Sequence, residues 1–367
     1  MKVRYRDLSV KDPQIKDELL EAVNSVLTHG QIILGPEVEY FEELVARDCG
    51  TKYSVGVGCG TDALYLSMRA LGIGAGDEVI TTPLSWIATV NAIIATGATP
   101  VFVDIDDDLN INPNLIEGSI TKKTKAILPV HFTGRLCNMD EIVNIAHRNN
   151  LFIIEDAAQA YGAHLNGKMA GSFGDFGCFS MNAMKVFSSY GEAGAITSSN
   201  TELRDTLISL RYNGTINKED CYIPSINARI DTIQAAMMNI NAKYLPKRIS
   251  RIREISKYYN DRLRSIVDCP LEDNSFHTYY SYTIKVDNRD SIIDYLNNCG
   301  IETKIQHPIL MPFHSAYKKI YRDIDIPVAS DAVNKILCIP NHDQMSDSQV
   351  EYVTEKMVGF YKNESQI

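Results

Sequence analysis

Lys185 has the most chemical potential of any residue in this 367-residue chain. It lies in CFSMNAMKVFSSYGEAGAI, among apolar and small side chains, where loss of hydration favours the neutral amine. An amine so placed suits imine formation with a carbonyl, followed by proton shuttling. An exposed loop lysine fits the same residues taken alone. Asp156 ends the apolar run of IIEDAAQAYGAH. A carboxylate there needs a cation or several donors. A protonated ring nitrogen is such a cation, and capping of the next turn is the other reading. Gln159, three residues on, reaches the same neighbourhood or caps.

Upstream, VGVGCGTDAL runs from a strand into glycines and then into Thr61–Asp62, a helix start. Gly60 and Thr61 sit where free backbone N–H groups and the helix dipole would hold a phosphate. A tight turn with an N-cap explains the motif equally well. Ser180 closes the run FGCFS and offers a hydroxyl to the same phosphate, or is an ordinary strand serine. Trp86, the only tryptophan, follows a strand in TTPLSWIATVNA. Its flat face can stack on a planar ring or sit in a core. In PSINARIDTIQAA, Asn227 and Arg229 precede a helix that Asp231 can cap.

Positioning these residues requires a sheet. YSVGVG, DEVITTP, TPVFVDI, TKAILPVHF, LFIIEDA, FGCFSM and AGAITSS read as strands, with TDALYLSMRALG, SWIATVNAIIATG and NMDEIVNIAHRNN as helices between them. This α/β alternation predicts a large unit with a mostly parallel seven-stranded sheet covered on both faces. Ligands bind such sheets at the carboxyl ends of their strands. Beyond Asp231 a long helix, DTIQAAMMNINAKYLPKRISRIREISKYYNDRLRSI, leads to a smaller α+β unit. There TYYSYTIKV and IETKIQ read as strands and SIIDYLNNCG as a helix. The expected division is residues 1–240, including an N-terminal helix over DELLEAVNSVLTHG, and residues 241–367. Lys362 to Ile367 are expected to fray.

A net charge of −10 argues against a nucleic-acid partner, though a local site can still be basic. Eight cysteines without C-x-x-C spacing support neither a zinc ribbon nor a redox motif, and no metal is expected. The start, MKVRYRDLSVKDPQ, has no apolar signal region, and no apolar run reaches membrane-spanning length. A cytoplasmic location with no membrane partner is the expectation.

Taken in order, GCGTDAL, GAGDEVIT, ATPVFVD, the KTKAI and PVH runs, EDAAQA, GDFGCFS with its lysine, and N-x-R-x-D-x-IQAA resemble the DegT/DnrJ/EryC1/StrS family. These are sugar aminotransferases of pyridoxal 5′-phosphate (PLP) fold type I, and the resemblance covers nearly the whole chain. It implies that Lys185 links to PLP and that Asp156 partners the pyridine nitrogen. It also implies that Trp86 stacks on the ring, that Gln159 lies beside the ring oxygen, and that Gly60, Thr61 and Ser180 contact the phosphate. Asn227 matches an asparagine supplied to the phosphate by the other subunit of a homodimer. Glutamate is then the amino donor, pyridoxamine 5′-phosphate the intermediate form, and a keto sugar, normally nucleotide-linked, the acceptor.

Three positions depart from the family pattern. Asn182 stands three residues before the lysine, where a histidine is frequent; GEAG replaces a more glycine-rich run; and His307, in QHPILMPFH, takes a tyrosine's place. All three fall on the sugar side. Arg229 and His307 are the candidate substrate contacts, with Lys247 a further basic candidate. A PLP-dependent sugar dehydratase is an alternative, although such relatives carry histidine where Lys185 stands. β-Elimination from an amino acid and a non-catalytic regulatory protein on the same fold are further alternatives.

Overall fold

Short runs that are apolar on both faces must be covered by helices on both sides, and the chain between Tyr53 and Ser198 is folded that way. The computed structural model describes residues 1–271, 273–321 and 323–364. Seven strands form one sheet: β1 (Tyr53–Val57), β2 (Glu78–Thr81), β3 (Thr99–Phe102), β4 (Thr124–Leu128), β5 (Phe152–Asp156), β6 (Phe176–Ser180) and β7 (Gly194–Ser198). Their order across the sheet is β1-β7-β6-β5-β4-β2-β3. All neighbours are parallel except β7, which runs antiparallel to both β1 and β6. All seven expected strands are present, and the sheet is mostly parallel as read.

Helices α1 (Pro13–His29) and α2 (Pro36–Cys49) precede the sheet, and α3 (Gly60–Ala70), α4 (Ala88–Ala95), α5 (Met139–Asn149) and α6 (Thr201–Arg211) cover it. The 32-residue α7 (Thr232–Leu263) then serves two cores. Ala235, Met238, Leu245 and Ile249 pack with Phe41, Phe179 and Ala195 of the large unit. Ile252, Ile255, Tyr259 and Leu263 pack with Tyr282, Ile284, Ile292 and Leu337 beyond it. The changeover falls between Ile249 and Ile252. Tyr244 and Lys243 tie α7 to α1 by donating to the Glu18 carboxylate at 2.7 and 3.0 Å.

The second core contains the antiparallel pair β8 (Tyr282–Lys285) and β9 (Ile336–Ile339), with α8 (Arg289–Asn298), α9 (Pro327–Lys335) and α10 (Asp347–Glu364). IETKIQ is not a strand. Ile301 makes a single bridge to Val3 and Lys304 a single bridge to Cys338 of β9, so the segment contributes isolated bridges and no ladder. Val3 is fully buried in this core, so the first residues of the chain pack on the second core although α1 packs on α7. α10 continues through Glu364, and the rest of the segment expected to fray, residues 365–367, lies outside the described residues. Among the described residues no helix is long and apolar enough to cross a membrane.

Candidate active site

The turn from β1 into α3 is shaped by close packing. Cys59, with extended backbone, caps α3 by accepting from the Asp62 N–H through Sγ at 3.4 Å. The helix thus begins at Gly60, one residue before the expected Thr61–Asp62 start. A Cβ on Gly60 would stand 2.7 Å from Ser180 Cβ, so only glycine lets the first turn of α3 approach the end of β6 this closely. Gly60, exposed Thr61 and half-buried Ser180 therefore meet at the positive end of an 11-residue helix, a ready anion seat.

Asp156, at the carboxyl end of β5, is only 4% exposed. Its Oδ2 accepts from the Thr89 hydroxyl at 2.8 Å, and its Oδ1 from the Ala158 N–H at 3.2 Å. Burial raises its pKa, against the opposing pull of those two bonds and of the Lys185 and His131 charges. Among the described residues no cation forms an ion pair with this buried carboxylate. Next to it, Glu155 is wholly buried and accepts from the N–H groups of Gly171, Phe173 and Gly174. His131 Nδ1 accepts from the Cys137 N–H, which leaves Nε2 to donate to Glu155 at 2.9 Å.

Lys185 leaves β6 in a turn that Asn182 builds. The Lys185 N–H donates to the Asn182 carbonyl at 2.8 Å, and Asn182 Oδ1 accepts from the Met184 N–H at 2.9 Å. The Asn182 amide also donates to Glu192. The residue that departs from the family pattern is thus part of the platform that presents the lysine. Lys185 Nζ stands 4.6 Å from the Tyr280 ring centroid, and the Arg6 guanidinium 4.9 Å from the same centroid. Burial pushes the Tyr280 hydroxyl up, but Lys185, Arg6, Lys304 and Gln306 together bring it below its ordinary value.

His307 has a left-handed backbone (φ 57°) and lies between Trp86 and Phe132, each with its ring centroid 5.7 Å away. Burial, with repulsion from Lys185, Lys304 and His314, holds its pKa down at about 3, so its imidazole is neutral. Trp86 itself is 60% exposed. Gln159 is buried, and its Oε1 accepts from the Thr133 N–H at 2.9 Å. The Asn227–Arg229 segment runs against the β1–α3 turn: Arg229 bridges Val57, and the Gly58 N–H donates to the Ala228 carbonyl at 2.9 Å. Asn227 is exposed, while the Arg229 guanidinium lies 4.3 Å from the Tyr212 ring centroid. Asp231 occupies the N-cap of α7, but its side chain makes no capping bond.

The fold therefore gathers Gly60, Thr61 and Ser180 at one strand-end seat, links Asp156 electrostatically to Lys185, and sets His307 against Trp86. Lys247 is simply exposed on α7. A cleft of about 950 Å³ lined by Tyr161, His164, Arg253 and Phe276 contains none of these residues, so volume alone does not mark the site. Sequence reasoning missed Thr89 and Tyr280. Thr89 follows Trp86 by one helical turn, a spacing that pointed to the same face. Nothing local to Tyr280 pointed to Lys185.

A sequence-family model for the DegT/DnrJ/EryC1/StrS aminotransferases matches residues 13–358. The chain belongs to this family. This aminotransferase is similar to a "Pleiotropic regulatory protein" of Geobacillus stearothermophilus, with 34% identity over 99% of this chain and 100% of that one. It is 38% identical to the dTDP-3-amino-3,6-dideoxy-alpha-D-galactopyranose transaminase of Aneurinibacillus thermoaerophilus, covering 96% and 98% of the two chains. The crystal structure of S. venezuelae DesV in complex with a ketimine intermediate superposes with a TM-score of 0.95 at 32% identity, covering 98% of each chain. The aminotransferase is of the PLP-dependent α/β class that its sequence resembled. Its residues fit that cofactor: the helix N-terminus at Gly60 suits a phosphate, the buried Asp156 carboxylate suits a ring cation, and the Lys185 amine suits an imine.

Proposed function

We propose that this aminotransferase moves the amino group of L-glutamate to a keto sugar carried on a nucleotide, in amino-sugar and surface-glycan biosynthesis. The observation that carries the reading is Lys185, seated on Tyr280 and acting electrostatically on the buried Asp156. In this reading Gly60, Thr61 and Ser180 hold the phosphate of PLP, Asp156 faces its pyridine nitrogen, and Trp86 lies along the ring. Because Gln159 Oε1 is already engaged by Thr133, the amide N–H of Gln159 is the group left to meet the ring oxygen. When bound, the cofactor supplies an electron sink for the substrate carbon that loses its proton. Lys185 would hold the cofactor through its amine and would move the proton to and from that carbon. Neutral His307 meets sugar hydroxyls, and Arg229 meets the anionic part of the acceptor.

The working unit in this reading is a homodimer with shared sites. Ile32, Ile33 and Ile226 are exposed apolar side chains around the strip that bears Asn227 and Arg229, and Asn227 reaches the phosphate of a second copy. The two cores are a large PLP-binding unit and a smaller C-terminal one joined through α7. All eight cysteines are free, which suits a reducing compartment such as the cytoplasm.

The test combines the purified protein, PLP and L-glutamate with nucleotide-linked 3-keto and 4-keto sugars. Sustained release of 2-oxoglutarate with an acceptor, lost in Lys185→Ala, supports the reading. The regulatory reading draws on the name of the Geobacillus relative. It would prevail if PLP bound but no acceptor in the panel gave turnover. Loss of a sugar hydroxyl without glutamate consumption would establish the dehydratase instead.

A further inference from the structure

Thr89 and Ser85 are even more deeply buried than Asp156, at 1% and 3% exposed against 4%, and no part of the reading above uses them. Thr89 has one hydroxyl proton. An ionised Asp156 can only accept, so that proton lies on the 2.8 Å bond to Oδ2. The 3.0 Å contact between Ser85 and Thr89 must then be donated by Ser85. The hydroxyls form a directed chain, Ser85 to Thr89 to Asp156, and every dipole in it favours the carboxylate anion.

The chain also controls direction. One Asp156 oxygen is held by the turn after β5, through Ala158, and the other by α4, through Thr89. Two bonds from two elements leave the carboxylate plane little freedom. The Thr89 N–H donates to the Trp86 carbonyl at 3.1 Å, so the same turn carries both the aromatic face and the donor that steers the carboxylate.

We propose that Thr89 is a positioning residue for Asp156: its hydroxyl, itself held by Ser85, aims the carboxylate at the cofactor's ring nitrogen and keeps it anionic. This rests on the assignment of Asp156 to that nitrogen. Thr89→Val keeps the shape and removes the donor; Thr89→Ser keeps the donor.

The experiment titrates PLP into the apo forms of wild type, Thr89→Val, Thr89→Ser and Asp156→Ala. It also follows, against pH, the visible absorption of the Lys185-bound cofactor. Loss of one hydrogen bond to a buried anion weakens PLP binding about tenfold to 100-fold in Thr89→Val. The absorption midpoint moves upward in that variant, because a ring nitrogen that loses its proton no longer repels the proton on the lysine linkage. Thr89→Ser restores both. If Thr89→Val matches wild type within about twofold while Asp156→Ala loses PLP, the role given to Thr89 is wrong and the cofactor assignment stands. If Asp156→Ala also binds normally, the assignment itself fails. Equal losses in the Val and Ser variants, with lower melting of both apoproteins, make Thr89 a structural residue and overturn the proposal.

Discussion

Replacing Gly60 by alanine tests the phosphate seat most directly. The added methyl would stand 2.7 Å from Ser180 Cβ, 3.1 Å from Ser180 Cα and 3.3 Å from Ser180 Oγ. Ordinary carbon–carbon contact is roughly 3.5–4.0 Å, so about 1 Å must be found by movement. Ser180 has little room to yield, because its backbone pairs with Gly194 in the sheet. Gly194 in turn lies so near Cys59 that its own Cβ would be 2.6 Å from the Cys59 carbonyl. The first turn of α3 must therefore lift away from β6. Overpacking of this kind costs about 1–3 kcal/mol, or about fivefold to 150-fold in cofactor affinity if it falls on the bound state. The assay is PLP titration with inorganic phosphate as competitor, alongside urea unfolding of the apoprotein. Phosphate competition should weaken in step with PLP in Gly60→Ala, and Gly118→Ala, which meets open space, should be silent. Adding Ser180→Gly to Gly60→Ala should recover stability but not affinity, since the serine hydroxyl goes with the clash. Wild-type PLP and phosphate binding in Gly60→Ala, with an unchanged unfolding midpoint, would refute the placement of the phosphate here.

Lys185→Ala should abolish glutamate-dependent turnover by more than about 100-fold while leaving the apoprotein folded, checked by 2-oxoglutarate release and circular dichroism. Glu155→Ala should lower stability by about 3 kcal/mol, because it strands three N–H groups and a buried histidine; urea melts measure this. Burial holds the His277 pKa at about 3, below its unfolded value, so the folded state resists a proton that the unfolded state accepts. Stability is therefore full above about pH 6.5 and falls as pH drops toward 3, and His277→Gln should flatten that loss in melts across this window. Mixing Lys185→Ala with Asn227→Ala subunits should restore activity, because one of the two shared sites is then intact. If Asn227 serves its own chain, mixing restores nothing.

The central sheet was legible because its signals are local. Each strand is a short β-branched run with a turn after it, and Gly60, Asp156, Ser180 and Lys185 all sit within a few residues of a strand end. The second unit was less legible. IETKIQ alternates like a strand but found no ladder, whereas ILCI of β9, four apolar residues without alternation, became one. Periodicity reports which face of a segment is apolar and cannot report which neighbour arrives. The cap of α3 was misplaced for a related reason: Ser180, 120 residues away in sequence, requires the bare backbone of Gly60, and Cys59 becomes the cap.

By itself, then, the sequence determined the α/β class, the strand-end placement of the chemical groups and the candidate lysine. These follow from hydrophobic period, turn residues and the chemistry of single side chains. Tertiary structure alone decided which groups meet. The strand order β1-β7-β6-β5-β4-β2-β3 brings Thr89 to Asp156 across 67 residues, and packing in the core of the large unit sets Tyr280 against Lys185. The physical reason is range. A side chain's own preferences are set by its near neighbours along the chain, but the charge state of Asp156 and the seat of Lys185 depend on burial and on partners that only the packed fold supplies.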